Sequence, residues 1–266
     1  MRKIIVRKIL LLIAVISLAT VCKGQNDIII PSEFIEIKPP KVSSNDWYGL
    51  NHSNNEFEVK VINSSLIVRK TNEENKCELK IPSGTLYGIN NGEWGGKLFF
   101  VPSTDSAKSI TIKSGNIKFI FSYRNQIYFI EGLAHLGINE GALYKLNIEK
   151  NNGFTYGKIL VFEDAPEAFT VYNDKILVAT HKNFYMVTDF KKELICKDTF
   201  WSSLYPNSIA VIDDNNVFIG MRGGIARLDL KKRTLRFYKF ASAAPPAQTF
   251  VTPPSAPSRH VGSSKR

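Results

Sequence analysis

The first residues with chemical promise are Glu93 and Trp94, which sit between glycines in the segment Asn91-Gly92-Glu93-Trp94-Gly95. Glycines permit backbone conformations that project the side chains between them. A large aromatic beside a carboxylate suits a sugar ring or a peptide side chain, which stacks while the acid accepts hydrogen bonds. The competing reading has Trp94 plugging a gap in the fold and Glu93 solvated. His135 and Glu140, in the segment 132–140, have the residue types of an acid–base pair. A lone histidine in an insertion is also read as a surface residue. Asn91, His181, Arg222, Trp201 and Tyr205 complete a candidate ligand-binding set. For His181 and Arg222 the alternative is an exposed rim position, and for Trp201 and Tyr205 it is core packing.

No catalytic constellation emerges from these residues. Paired carboxylates for glycoside cleavage need two facing acids at a defined separation, and the candidates Glu93, Glu131 and Glu140 are placed by register alone. The chain has no Gly-x-Ser-x-Gly elbow, no phosphate-cradling glycine loop before a helix and no calcium loop. Asp213-Asp214-Asn215-Asn216 reads as a hairpin turn, where those residue types are favoured for backbone reasons. No Cys-x-x-Cys or His-x-x-x-His occurs, so neither metal nor cofactor is expected. Cys77 and Cys196 are expected to be unpaired, buried thiols. Asn51-His52-Ser53 and Asn63-Ser64-Ser65 fit the glycosylation pattern.

The elements that position these residues read as strands. Between residues 25 and 240 no amphipathic helix is evident, whereas short alternating apolar runs recur, bounded by Asn, Asp, Gly and Lys. Residues 209–212, 217–220, 224–229 and 234–238 make four strands. The same order occurs about forty residues earlier, at 168–172, 176–179, 184–189 and 193–200, with Pro166 and Pro206 in equivalent places. A third copy covers 117–122, 126–130, 142–148 and 158–162, and a fourth covers 78–81, 85–90, 96–101 and 109–113. Residues 57–62 and 66–70 belong to a first copy placed only loosely.

A repeat of about forty residues built from four antiparallel strands is how β-propeller blades read. The expected fold is therefore all-β, a propeller of about five four-stranded blades, with a β-sandwich as the alternative. Residues 28–37 are expected to add a strand to the last blade, because an open ring leaves sheet edges exposed. In this arrangement the loops joining second to third strands gather on one face. That would bring 90–95, 132–140, 181–183 and 221–223 to one rim, with 201–206 beside them. The segment 214–238 resembles the propeller repeats of bacterial two-component sensor ectodomains, through its strand, Gly-Gly turn, strand ending in Asp229, and aromatic fourth strand. The resemblance implies fold much more than function, and it covers one blade well.

The ends have a different character. Arg2, Lys3, Arg7 and Lys8 precede an apolar run from 9 to 21, which reads as a signal peptide over residues 1–24 and places the protein in a secreted or periplasmic compartment. A lipid anchor at Cys22 and a retained membrane anchor are the competing readings; after signal removal no membrane span is expected. Residues 241–266 hold five of the twelve prolines and no Ile, Leu, Asn, Asp, Glu or Tyr. They read as a disordered tail, either a natural linker or a stretch unrelated to the body. The charge of +11 is concentrated at these ends, since residues 25–240 carry 27 bases against 24 acids. A near-neutral body gives no basis for nucleic-acid binding.

These readings predict a secreted, non-catalytic propeller that holds a protein or glycan ligand on a rim of enlarged loops. Two rivals remain open: a carbohydrate-active hydrolase or lyase using Glu93, His135 and Glu140, and a structural or sensor-like part of a cell-surface assembly.

Overall fold

The computed structural model describes residues 28–72, 75–150 and 153–241. The expected signal peptide lies outside them, as does the expected tail from residue 242 onward. The described chain is all-β, in five antiparallel sheets. The first sheet pairs β2 (Glu56–Ile62) with β3 (Ser65–Thr71). The second holds β4 (Lys76–Ile81), β5 (Gly84–Asn90), β6 (Gly96–Pro102) and β7 (Ile110–Ser114). The third holds β8 (Ile117–Tyr123), β9 (Gln126–His135), β10 (Ile138–Ile148) and β11 (Phe154–Phe162). The fourth holds β12 (Pro166–Tyr172), β13 (Lys175–Thr180), β14 (Phe184–Thr188) and β15 (Lys191–Cys196). The last holds β16 (Ser208–Asp213), β17 (Asn216–Met221), β18 (Gly224–Asp229) and β19 (Thr234–Phe240).

Each of these sheets is a meander in which sequential strands are neighbours, because the links are short. Asn63-Ser64, Arg124-Asn125 and Asn173-Asp174 all have positive φ at both turn positions. That is the backbone of a tight hairpin whose twist matches its strands, and asparagine and aspartate tolerate it best. One strand comes from far away. β1 (Phe34–Ile37) lies antiparallel against β19, with Phe34 opposite Phe240 and Ile37 opposite Phe237, so residues before the first sheet complete the last.

Three expectations need correction. The sheets are not uniformly four-stranded: among the described residues the first has two strands, while the fifth strand of the last sheet is the one expected from residues 28–37. The segment 132–140 is not an open loop, since β9 and β10 stay paired up to His135 opposite Ile138. Their alternation simply continues beyond the length of the other hairpins. A helix is also present. α1 (Asn45–Asn51) is capped by Ser44, whose Oγ accepts from the Trp47 amide at 3.3 Å, and it buries Trp47 and Leu50. Two turns are too short for a helical period to show in a sequence.

Both faces of the inner sheets are covered. Leu86, Leu98 and Phe100 of the second sheet pack with Ile117, Phe129 and Leu146 of the third. Phe121, Ile130 and Phe162 of the third pack with Ile176, Val178 and Val187 of the fourth. Leu177, Ala179 and Phe184 of the fourth pack with Val217, Ile219 and Phe237 of the fifth, and α1 joins that core through Trp47 and Leu50. Ala210, Phe218 and Tyr238 of the fifth pack with Phe57, Val59 and Leu66 of the first. The first strands of the sheets are neighbours in the same succession, β4 with β8, β8 with β12, β12 with β16 and β16 with β2.

Candidate binding site

The loop between β5 and β6 closes on itself. Gly92 and Gly95 have φ of 60° and 80°, which bend residues Gly92–Trp94 into one turn of 3-10 helix. The Asn91 amide donates to the Gly95 carbonyl at 2.8 Å and the Gly92 amide to Asn90 Oδ1 at 3.2 Å. Asn116 Nδ2, from the link into the third sheet, donates to the Gly92 carbonyl at 2.9 Å, and Asn75 Nδ2 donates to Asn91 Oδ1 at 3.2 Å. Asn91 therefore helps to hold the loop. With its backbone satisfied in this way, the loop presents Trp94 to solvent at 83% exposure. A tryptophan that plugged a gap in the fold would be buried, so that alternative does not describe Trp94.

Beside this loop stands the β9–β10 hairpin. His135 Nε2 lies 2.7 Å from Glu93 Oε2. The two enlarged segments expected to face one another are thus joined by a half-exposed ion pair or hydrogen bond. Glu140 is not its partner. It sits opposite Leu133 on the same strand pair, exposed, and makes no polar contact with His135. The hairpin tip adds Leu136 at 95% exposure, held at φ of 51°, and Ile138 at 50%. Isolated apolar side chains on a surface are ordinary, but these three stand on segments that the His135–Glu93 contact brings side by side.

The other candidates have different environments. Trp201 does not belong to a binding rim: it is fully buried, and its Nε1 donates to the Thr180 carbonyl at 3.0 Å. Large aromatics carry the most apolar area to bury, and here the core took it. Arg222 acts as a clamp. Its guanidinium reaches Glu56 Oε1 at 2.6 and 2.9 Å and the Asn51 carbonyl at 3.1 Å, tying the last sheet to α1 and β2. Tyr205 lies beneath that guanidinium, 4.6 Å from ring centroid to carbon. His181 is mostly buried rather than an exposed rim residue, with Nδ1 3.8 Å from Glu167 Oε1, beyond hydrogen-bond reach.

Glu167 leads to a feature that the sequence reading missed. Between the first strands of the sheets lies a cavity of about 330 Å³, lined from β2, β4, β8, β12 and the segment entering β16. Lys118 Nζ sits 2.6 Å from Glu167 Oε2 in its wall, with side-chain exposures of 15% and 6%. Burial, the largest single influence, pushes the Glu167 carboxyl up, but Lys118 and His181 together outweigh it and hold the group below its ordinary value. A signal for these positions was available. Pro166 and Pro206 occupy equivalent places in the repeat, and the residue after each, Glu167 and Asn207, lines the cavity. Next to it, Asp164 is buried and fully engaged, accepting from Thr180 Oγ1 at 2.8 Å, Asn183 Nδ2 at 2.9 Å and the Lys182 amide. It braces the β13–β14 loop.

Among the described residues no group of three or more His, Cys, Asp or Glu side chains is arranged to hold a metal ion. No described helix is long and apolar enough to cross a membrane. Cys77 and Cys196 are free and partly buried, and burial pushes both thiols up to about 11.

No protein-family model matches this chain, and no curated protein matches it. Among solved structures it is similar to a computationally designed protein, Ika8, at 10% identity and a TM-score of 0.33, over 69% of this chain and 73% of that one.

Proposed function

We propose that the five sheets are the blades of a propeller arranged around the cavity, and that the chain is an exported, non-catalytic binding module. On this reading it holds a protein ligand on the rim formed by the β5–β6 loop and the β9–β10 hairpin. The radial arrangement is supported by the succession of neighbouring first strands and by the cores between consecutive sheets. Export rests on residues 1–24 as read from the sequence.

The observation that carries the binding reading is Trp94, 83% exposed on a loop whose own hydrogen bonds are satisfied, beside Leu136 and Ile138. Aromatic and aliphatic anchors rimmed by polar groups are the usual composition of a protein-binding patch. A sugar would use Trp94 but would leave Leu136 and Ile138 without a role, which favours a peptide or protein surface. Glu93 and His135 contact one another at the surface rather than converging inside a pocket, as an acid and base acting on a bound substrate would.

Peptides selected from a displayed library against the wild-type protein should lose about tenfold or more in affinity on Trp94→Ala, a loss typical of an interface anchor. The melting temperature should stay unchanged. If Trp94→Ala unfolds the chain, or if none of the selected peptides responds to it, the rim is not the binding site.

A further inference from the structure

The end of the last sheet that holds the β16–β17 and β18–β19 turns carries a basic pocket. Arg227 on β18 lies directly opposite Arg236 on β19, so the two guanidinium groups rise from the same face of the sheet. Like charges in that position are destabilising. Lys232 joins them from the β18–β19 turn, and Asn215, Asp229 and Thr234 complete a surface pocket of about 260 Å³. That lies below the range for drug-sized ligands, about 300–1,000 Å³, and suits a smaller group.

The carboxylates around the pocket do not relieve this repulsion. Asp229 is 15% exposed, and its Oδ1 accepts from the Lys231 and Lys232 amides at 3.0 and 2.8 Å, so its charge serves the turn. The Lys232 amide above all holds that carboxyl below its ordinary value. Asp213 accepts from the Asn215 amide and from Asn216 Nδ2, each at 2.8 Å, and Asp214 stands 3.7 Å from Lys231. Glu36 Oε2 lies 3.7 Å from Arg236 Nη1, beyond hydrogen-bond reach, between two side chains open to water. Lys232 Nζ is equally far from Asp229 Oδ2. Among the described residues, therefore, neither arginine has a carboxylate oxygen at hydrogen-bond distance. A guanidinium presents its N–H groups as a fork that matches the oxygen spacing of a phosphate group. One tetrahedral anion can accept from two opposed forks, which turns a repulsion into two attractions.

We propose that this pocket binds a tetrahedral oxyanion, a phosphate or sulfate group, bridged between Arg227 and Arg236 with Lys232 beside it. The site does not depend on the protein-binding rim. Isothermal titration calorimetry on the full chain, at fixed ionic strength set with chloride, would test it with inorganic phosphate, inorganic sulfate, glycerol phosphate and acetate as probes. Saturable binding of at least one tetrahedral probe is expected, with acetate, planar and singly charged, weaker. Tighter binding of glycerol phosphate than of inorganic phosphate would place the group on a larger ligand, equal binding would make the free ion the ligand, and both support the site. Arg227→Gln and Arg236→Gln each remove one fork and should weaken the best probe about tenfold. Arg236→Lys keeps the charge without the fork and should weaken it severalfold. Lys158→Gln, on the outer strand of the third sheet, removes the same charge elsewhere and should leave binding unchanged. Arg236 is exposed, so its variants decide the matter if Arg227→Gln does not fold. No saturable binding of a tetrahedral probe, acetate binding as tightly, indifference to Arg236→Gln, or an equal loss on Lys158→Gln would each overturn the proposal.

Discussion

Lys118→Met tests the cavity wall most directly. The Lys118–Glu167 pair is short at 2.6 Å and both side chains are nearly buried. Replacing the lysine removes the ammonium and leaves a carboxylate in a place with little water. Breaking one side of such a pair costs about 3–5 kcal/mol near neutral pH, far more than an exposed pair would. The pH dependence sharpens the test. In the wild type the Glu167 carboxyl lies below its ordinary 4.5 because Lys118 and His181 together outweigh burial, so its stabilisation is present above that value and is lost as pH falls through the folded one. In the variant only His181 still opposes burial, so the group lies higher than in the wild type, and the penalty of the unpaired carboxylate is present at neutral pH and disappears as the carboxyl protonates. The gap between the two proteins should therefore narrow on acidification. His181 Nδ1, 3.8 Å from the carboxylate, is a second titratable group facing it and softens the loss without replacing a 2.6 Å partner. Urea unfolding near pH 7 and near pH 4 would measure both terms, and Lys118→Met with Glu167→Gln should recover most of the loss. A cost below about 1 kcal/mol at neutral pH, in the range of a surface pair, or a cost equal at the two pH values, would refute the reasoning.

Two further outcomes follow from the packing. Trp201→Ala removes a fully buried ring and strands the Thr180 carbonyl. It should cost about 3–5 kcal/mol, seen as a lower urea midpoint, and a variant as stable as wild type would place Trp201 outside the core. The thiols of Cys77 and Cys196 are raised from 9.0 to about 11 by burial. Alkylation by iodoacetamide at mildly alkaline pH should therefore be about a hundredfold slower in the native protein than in urea, because the thiolate is the nucleophile. Equal rates would show that neither thiol is shielded.

The aromatic beside the carboxylate at 93–94 was legible because two glycines isolate it, and its exposure agrees with that reading. The pairing of His135 was not legible. Glu140 is closer in sequence, and only the lie of the β9–β10 hairpin against the neighbouring sheet makes Glu93 the partner. Arg222 looked like a rim residue by register, but its carboxylate, Glu56, comes from the opposite end of the chain.

What the sequence determined by itself is the local part: strands from period-two alternation, hairpins from Asn, Asp and Gly at turn positions, and the extra strand before the first sheet. Those signals act over a few residues, where backbone sterics and side-chain alternation decide the outcome. Tertiary structure alone decided which sheet packs on which and which buried charges meet across 49 residues, as Lys118 and Glu167 do. It also created a cavity whose wall is drawn from four sheets and the segment that enters the fifth. The physical reason is that alternation says which face of a strand is buried but carries no information about the surface that will bury it.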